Sequence, residues 1–415
     1  MINPVRRRLL LAGGLLPLYR PLRAAVRQVV VVGGGWGGLA AAAQLCRQAP
    51  DLAVTLVDRQ AAFHSFALGN RWLVDHGQVP APMRRDYAAV AAARGYRFVQ
   101  AEALGIDRAG QRLMTSAGAL PYDWLVLSPG IREDFSAWQI SDPAAVDLLK
   151  KRFSGAMVHA GELPALKARL QAFTGGDLLL TIPPLPYRCP PAPYERALLI
   201  AWWLKTRRIP GRLIIVDPNP LMPAFRHALL ERFRDQVTYL DHAQVRSVDL
   251  ERRTLSTDID DIRFDMALLS PPQQAAGLLW PAGLIRADAN TGAPDGWAAQ
   301  GALDLRSRDD ERIFIIGDAA GVVSPLFGHY PKTGHVASRM GAIVAGQIAG
   351  GQTPMLPESL CHLLSGVDPD AGTRIETSYR LRGDGFLLQE VRQVRRPNPA
   401  GEDVAWAAGQ YAGFL

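Results

Sequence analysis

The sequence predicts an α/β protein with two successive strand–helix–strand units and a small C-terminal α+β segment. Three observations lead there. The valine run Gln28–Val32 passes through a glycine turn into an alanine-rich helix, then into a strand ending at Asp58. A second such pattern, "GDLLLTIPP", "YERALLIAWWLK" and "GRLIIVDPNP", lies between 148 and 272. Finally, "RIETSYRLRGDGFLLQEVRQVRRP" within 351–415 alternates around a Gly-Asp-Gly turn and reads as a hairpin.

A chain of 415 residues can bury two or three cores. Its 48% hydrophobic and 20% charged composition is ordinary for a globular protein, and no 20-residue apolar tract predicts a transmembrane segment. The net charge of +7 does not point to nucleic acid. Arg6, Arg7, Arg8, Arg20, Arg23 and Arg27 lie in a segment without acids, which leaves 40 basic against 39 acidic residues in the body. That segment, 1–27, opens "VRRRLLLAGGLLPL" and reads as a twin-arginine-type export signal, so a periplasmic location is expected. Cys46, Cys189 and Cys361 are widely spaced, which excludes a disulfide scaffold and leaves no metal-ligand pattern.

The first unit carries Gly33-x-Gly35-x-x-Gly38 directly after a strand, with Asp58 closing the next strand. This is the arrangement of a Rossmann-like dinucleotide-binding unit. Gly33 permits the turn, Gly35 lets the backbone approach a pyrophosphate, and Gly38 lets helix and strand pack closely. The acid accepts ribose hydroxyls. Trp36, Gly37, Arg59 and Ala103 are placed with this site. Two later strands complete the expectation. "YDWLVLSPG" ends in small residues with Ser128 and Gly130, and "RIFIIGDAAG" runs into Gly317-Asp318. An N-terminal fingerprint, a mid-chain strand ending in small residues and a late Gly-Asp strand together indicate FAD. A discontinuous FAD-binding domain, 28–147 with 273–350, then encloses the second domain at 148–272.

The second unit has no glycine fingerprint. Its strand–helix junction, "PPLPYRCPPAPYER", instead holds Cys189 among prolines at 183, 184, 186, 190, 191 and 193. Proline removes backbone donors and blocks close approach, so a nicotinamide dinucleotide finds no cradle there. The junction presents a sulfur rather than a backbone.

The fold order, "YRCPPAPYER", "IFIIGDA" and "YPKTGH" (Tyr330–His335) resemble the flavoprotein subunit of flavocytochrome c sulfide dehydrogenase, a family related to sulfide:quinone oxidoreductases. The resemblance runs from about Gln28 to the C-terminus. It implies a glutathione-reductase-type fold of two Rossmann-like domains, with 351–415 as an interface domain. It also implies FAD, a small inorganic sulfur substrate and a c-type cytochrome partner. On the family's mechanism sulfide attacks a cysteine disulfide and electrons pass through FAD to the cytochrome. Cys189 matches the first of those cysteines, with Arg188 and Arg196 as sources of positive charge, and Lys332 is its catalytic companion. Pro331, Lys332 and Thr333 match the Pro-Lys-(Ser/Thr)-Gly segment beside the flavin.

Two departures follow from the same resemblance. A partner cysteine is expected in the Gly-Asp loop, where Ala319 and Ala320 stand, so Cys189 is expected to work alone. Only Cys361 could substitute for that partner, and structural burial is its expected role; Cys46 is read as core. A covalent flavin cysteine is also expected, and Phe66 stands at its place, so FAD should be held noncovalently. His64 nearby reads as an ordinary packed or exposed histidine. The expected activity is an FAD-dependent oxidation of sulfide or a related reduced sulfur species. The alternative is a flavin-binding electron-transfer subunit without sulfide chemistry. An NADH-dependent reductase is disfavoured by the proline junction.

Overall fold

The computed structural model describes residues 26–65, 67–81, 83–324, 326–351, 355–397 and 401–415. The export signal expected at 1–27 therefore lies almost wholly outside the described residues, as does Phe66.

Five parallel strands form the first sheet, in the spatial order Ile313–Ile315, Trp124–Leu127, Gln28–Val32, Ala53–Asp58 and Arg97–Gln100. Both faces are covered, which is why Val29 to Val32 read as an unbroken apolar run rather than an alternation. One face packs on the helices Trp36–Gln48 and Gly334–Ile348. Their backbones cross so closely that a Cβ on Gly341 would overlap the Gly37 carbonyl. The late strand and the strand before the N-terminal fingerprint, far apart in sequence, thus finish at the same C-terminal end of one parallel sheet.

The stretch 97–121 divides between two sheets. Arg97–Gln100 joins the parallel sheet, and Ala103–Asp107, Arg112–Thr115 and Gly118–Pro121 form a separate antiparallel meander. Arg97–Gln100 is fixed by non-local pairing with Ala53–Asp58.

The chain leaves the first sheet through Ile131–Glu133 and returns through Gln273–Ala275, and these two segments pair antiparallel. Between them lies a four-stranded parallel sheet in the order Val237–Asp241, Gly211–Asp217, Gly176–Thr181 and Met266–Leu268. The helix Ala192–Arg207 packs on it through Leu198, Leu199, Ala201 and Leu204, all fully buried or nearly so. Its first turn tolerates Pro193 because those N–H groups have no partner within the helix.

The C-terminal segment is an antiparallel sheet of Ser359–Gly366, Ala371–Leu381 and Leu387–Pro397, followed by the helix Glu402–Tyr411. Leu363 and Leu364 join the core of the second sheet. Tyr411 and Phe414 join the core of the first. This segment therefore bridges both units, and no described helix is long and apolar enough to cross a membrane.

Candidate active site

The glycine turn is built by exclusion. Gly33 has φ +93, and a Cβ there would overlap the Ser128 carbonyl. A Cβ on Gly38 would overlap the Gly33 carbonyl, and one on Gly37 would sit 2.7 Å from the Ser128 hydroxyl. Gly35 differs: a Cβ would meet nothing within 4 Å, so its bareness serves something other than packing within the chain. Asp58 accepts from the Gly34 N–H at 2.7 Å and ties the turn to the second strand.

A groove of about 790 Å³ opens from this turn, lined by Gly33, Asp58, Arg59 and Ala103 and continuing to Glu133 and Arg188. Gly130 (φ +73) and Gly317 (φ +72) adopt left-handed backbone where the two strands end. Next to them the Asp318 side chain is buried; Oδ2 accepts from Arg188 Nε at 2.5 Å, while Oδ1 is buried without a partner among the described residues. A bare cradle at Gly35, a deep groove and an orphaned carboxylate oxygen fit a dinucleotide bearing a polyol linker. The residues present therefore suit FAD.

Two residues assigned to this site work differently. The Trp36 indole is not at the groove. It packs against Gly334 and against Tyr411 and Phe414, with ring centroids 4.9 and 5.4 Å away, so only its backbone opens the helix. Ser128 fills the corner between Gly37 and Gly317 and packs the turn. The helix that follows Pro331 begins at Gly334, with Thr333 as N-cap, because the Thr333 N–H bonds back to Pro331 and its backbone is extended.

Lys332 requires a correction. It is buried, and its ammonium donates to the carbonyls of Asp318 and Ala320 at 2.8 Å each while lying 3.7 Å over the Trp297 ring. Burial lowers its pKa to about 7 against the pull of Asp318. All three donors are directed at protein, so Lys332 organises the Gly-Asp turn rather than facing a reactant. Its carbonyl also receives the Cys189 N–H at 2.7 Å, which locks the thiol loop to the same turn.

Cys189 is partly buried and adopts φ +51, a left-handed conformation disfavoured for a residue with a Cβ. Burial first, then the negative charge of Glu195, push its thiol up to about 12. Arg188 pulls the other way. Arg196 is buried and donates to Asn70 Oδ1 at 2.9 Å and to the Gly155 carbonyl.

The fold brings a second thiol, Cys361, within electrostatic reach of Cys189. Cys361, on the strand Ser359–Gly366, is drawn to the start of the helix Ala192–Arg207 by Glu195. That carboxylate accepts from the Leu364 N–H at 3.0 Å and from Asn70 Nδ2 at 2.9 Å. Burial and the neighbouring Cys189 and Glu195 together hold the Cys361 thiol well above its ordinary value. The two thiols are partly buried and free, close enough for Cys189 to act electrostatically on Cys361, with Glu195 acting on both. Glu195 and Asn70 were missed as functional residues; the acid six positions after Cys189, one turn into a helix, was the only local signal.

Cys46 is half-buried against the core of the first sheet, and His64 is exposed. No group of His, Cys, Asp or Glu among the described residues could hold a metal ion.

In the position of the second unit's ribose-binding acid stands Asp217. It is fully buried and accepts the hydroxyls of Tyr194 at 2.6 Å and Tyr239 at 2.5 Å. Two dinucleotide-type units, one open and one closed by its own side chains, define a flavoprotein of the two-dinucleotide oxidoreductase class.

Comparison with known proteins narrows that class. Residues 164–271 match the family model for the central part of the sulfide dehydrogenase [flavocytochrome c] flavoprotein chain, and residues 27–142 match that for pyridine nucleotide-disulphide oxidoreductases. Sulfide-quinone reductase of Aquifex aeolicus is 28% identical over 204 residues, 46% of this chain and 44% of that protein. Ferroptosis suppressor protein 1 of Mus musculus is 32% identical over 131 residues, 30% of this chain and 34% of that protein. The matched part spans less than half the length of these curated relatives. In three dimensions the sulfide:quinone oxidoreductase of Aquifex aeolicus superposes with a TM-score of 0.72 at 18% identity, covering 92% of this chain and 90% of that one. A ferredoxin reductase from Rhodopseudomonas palustris follows at 0.62 and 15%, covering 86% and 85%. The chain is thus similar, over these segments and in its fold, to flavoprotein oxidoreductases of the sulfide dehydrogenase and sulfide-quinone reductase type.

Proposed function

We propose that the protein oxidises sulfide, or a closely related reduced sulfur species, through a Cys189–Cys361 redox pair and passes the electrons by way of noncovalently held FAD to a c-type cytochrome. The observation that carries this reading is the grouping of both thiols about Glu195, whose carboxylate bonds the strand of Cys361 from the helix that follows Cys189.

In the oxidised protein the two sulfurs form a disulfide. Hydrosulfide attacks one of them, a new sulfur–sulfur bond forms as a persulfide, and the disulfide breaks to release the other as a thiolate. Glu195, buried and raised above the ordinary carboxyl range, is placed to hold a proton beside the departing sulfur. Arg196 offsets the thiolate charge. FAD supplies the two-electron acceptor, held by Gly33, Gly35, Asp58 and Asp318. The Cys189–Lys332 backbone bond keeps the thiol loop against the Gly-Asp turn.

Cys361, as a candidate second thiol, favours this reading over a flavin-binding electron-transfer subunit without sulfide chemistry. Nicotinamide is disfavoured as the electron source because Asp217 is already engaged by two tyrosines. The cytochrome partner is supported by the likeness of residues 164–271 to the flavocytochrome flavoprotein, and periplasmic export by the arginines of the leader. Noncovalent attachment is supported by the absence of cysteine from 63–72.

Anaerobic addition of sulfide to the FAD-loaded protein tests the reading. Loss of flavin absorbance in the wild type, but in neither Cys189→Ser nor Cys361→Ser, is expected. Equal bleaching in all three proteins would remove the thiols from the reaction.

A further inference from the structure

The proline-rich junction poses a bonding problem. Its prolines bring no N–H groups, and its buried carbonyls cannot join a helix or a sheet, so side chains must satisfy them. They come from two sources. Asn219, two residues beyond the strand Gly211–Asp217, donates to the Pro183 carbonyl at 2.9 Å and accepts from the Leu185 N–H at 2.9 Å. Tyr187 donates its hydroxyl to the Pro190 carbonyl at 2.9 Å, directly beside Cys189.

Everything converges on Asp217. Besides the Tyr194 and Tyr239 hydroxyls, it accepts from the Asn219 N–H and from Asn219 Nδ2, both at 2.8 Å. Asp217 is 0% exposed, Asn219 7%, Tyr187 1% and Tyr194 2%. Tyr194 sits in the first turn of the helix that Cys189 leads into, and burial holds the Tyr187, Tyr194 and Tyr239 phenols far above their ordinary range, so all three remain donors. Cys189 itself keeps a strained φ of +51, which persists only where its surroundings over-determine it. In a nucleotide-binding unit the acid at this strand end would accept ribose hydroxyls. Here its lone pairs are turned onto the thiol loop.

We propose that Asp217, acting through Tyr194, Asn219 and Tyr187, is a positioning network that fixes the Cys189 sulfur. The acid of a nucleotide-binding unit has become the anchor of a redox loop. The proposal rests on the reading of Cys189 as a reacting thiol. It also distinguishes the roles of two residues that bond the same carboxylate, because Tyr194 is on the helix carrying the loop and Tyr239 is on the far edge strand.

The test uses full-length, FAD-loaded wild type, Tyr194→Phe, Tyr239→Phe and Asp217→Asn. Two quantities are read: the rate at which iodoacetamide alkylates Cys189 in the reduced protein, by mass spectrometry, and kcat and KM for sulfide-driven flavin reduction. Tyr194→Phe is expected to keep its flavin. Its Cys189 alkylation should accelerate about fivefold as the loop loosens, and its kcat should fall about tenfold with KM little changed. Tyr239→Phe should stay within about twofold of wild type in both, since it does not touch the loop. A Tyr194→Phe protein indistinguishable from wild type, or equal effects from Tyr194→Phe and Tyr239→Phe, would overturn the proposal in favour of a purely structural core. Should Asp217→Asn fail to fold, the tyrosine pair still decides. If wild type itself ignores sulfide, the functional reading fails, while the alkylation rates still judge the network.

Discussion

Among single residues, the glycines of the N-terminal turn separate folding from binding. Gly38→Ala forces a Cβ into the Gly33 carbonyl and should lose both fold and flavin. Gly35→Ala has φ −71 and open space around it, so the protein should fold with an unchanged melting temperature yet bind flavin about tenfold or more weakly. Comparing melting curves with flavin content checks both. Glu195 gives a second expectation. Its charge is among the causes that raise both thiols, so Glu195→Gln should shift the pH at which Cys189 ionises downward, followed by thiolate absorbance in the reduced protein. An upward shift would contradict that electrostatic role. The sequence made Cys189 legible because prolines and a helix start surround it. Cys361 had no such signal: "SLCHLL" looks like any half-buried strand, and its role comes only from the fold bringing that strand to Glu195.

Among elements, the C-terminal helix Glu402–Tyr411 is held by a nearly buried ion pair, Arg71–Asp403 at 2.6 Å, with side chains 12% and 10% exposed. Arg71→Ala strands Asp403 and should cost about 3–5 kcal/mol, since an uncompensated buried charge is expensive. Limited proteolysis should then release the helix Glu402–Tyr411 first, whereas a tail cut no faster than in wild type would show that the aromatic contacts of Tyr411 and Phe414 hold the helix unaided. The two strand–helix–strand units were legible from periodicity and turn residues. The meander at 103–121 and the docking of Trp36 onto Tyr411 were not, because both depend on pairing across long stretches of chain. Lys332 was placed correctly in the chain but given the wrong task; nothing local shows that its ammonium turns back onto the Asp318 and Ala320 carbonyls.

For the whole molecule, three buried histidines set the acid limit. Burial lowers His159, His329 and His335 to about 4, so the folded state keeps them neutral where an unfolded chain would charge them. Stability from these groups is therefore complete above about pH 6.5 and is lost as pH falls toward 4. Glu133, raised to about 7 by burial and Glu162, opposes this by favouring the folded state below 7. Thermal melts between pH 7 and 4.5 should show net destabilisation, steeper in Glu133→Gln than in wild type; a flat profile in that variant would mean the histidines are not buried neutral. The chain as a whole brings one open dinucleotide cradle, one closed unit and a bridging C-terminal sheet together around a pair of sulfurs. Thiol mapping of the oxidised protein tests that arrangement most directly. Cys189 and Cys361 should resist alkylation, be recovered as one cross-linked peptide, and become free on anaerobic addition of sulfide. Both thiols alkylating freely before sulfide is added, with no cross-linked peptide, would contradict a Cys189–Cys361 redox pair.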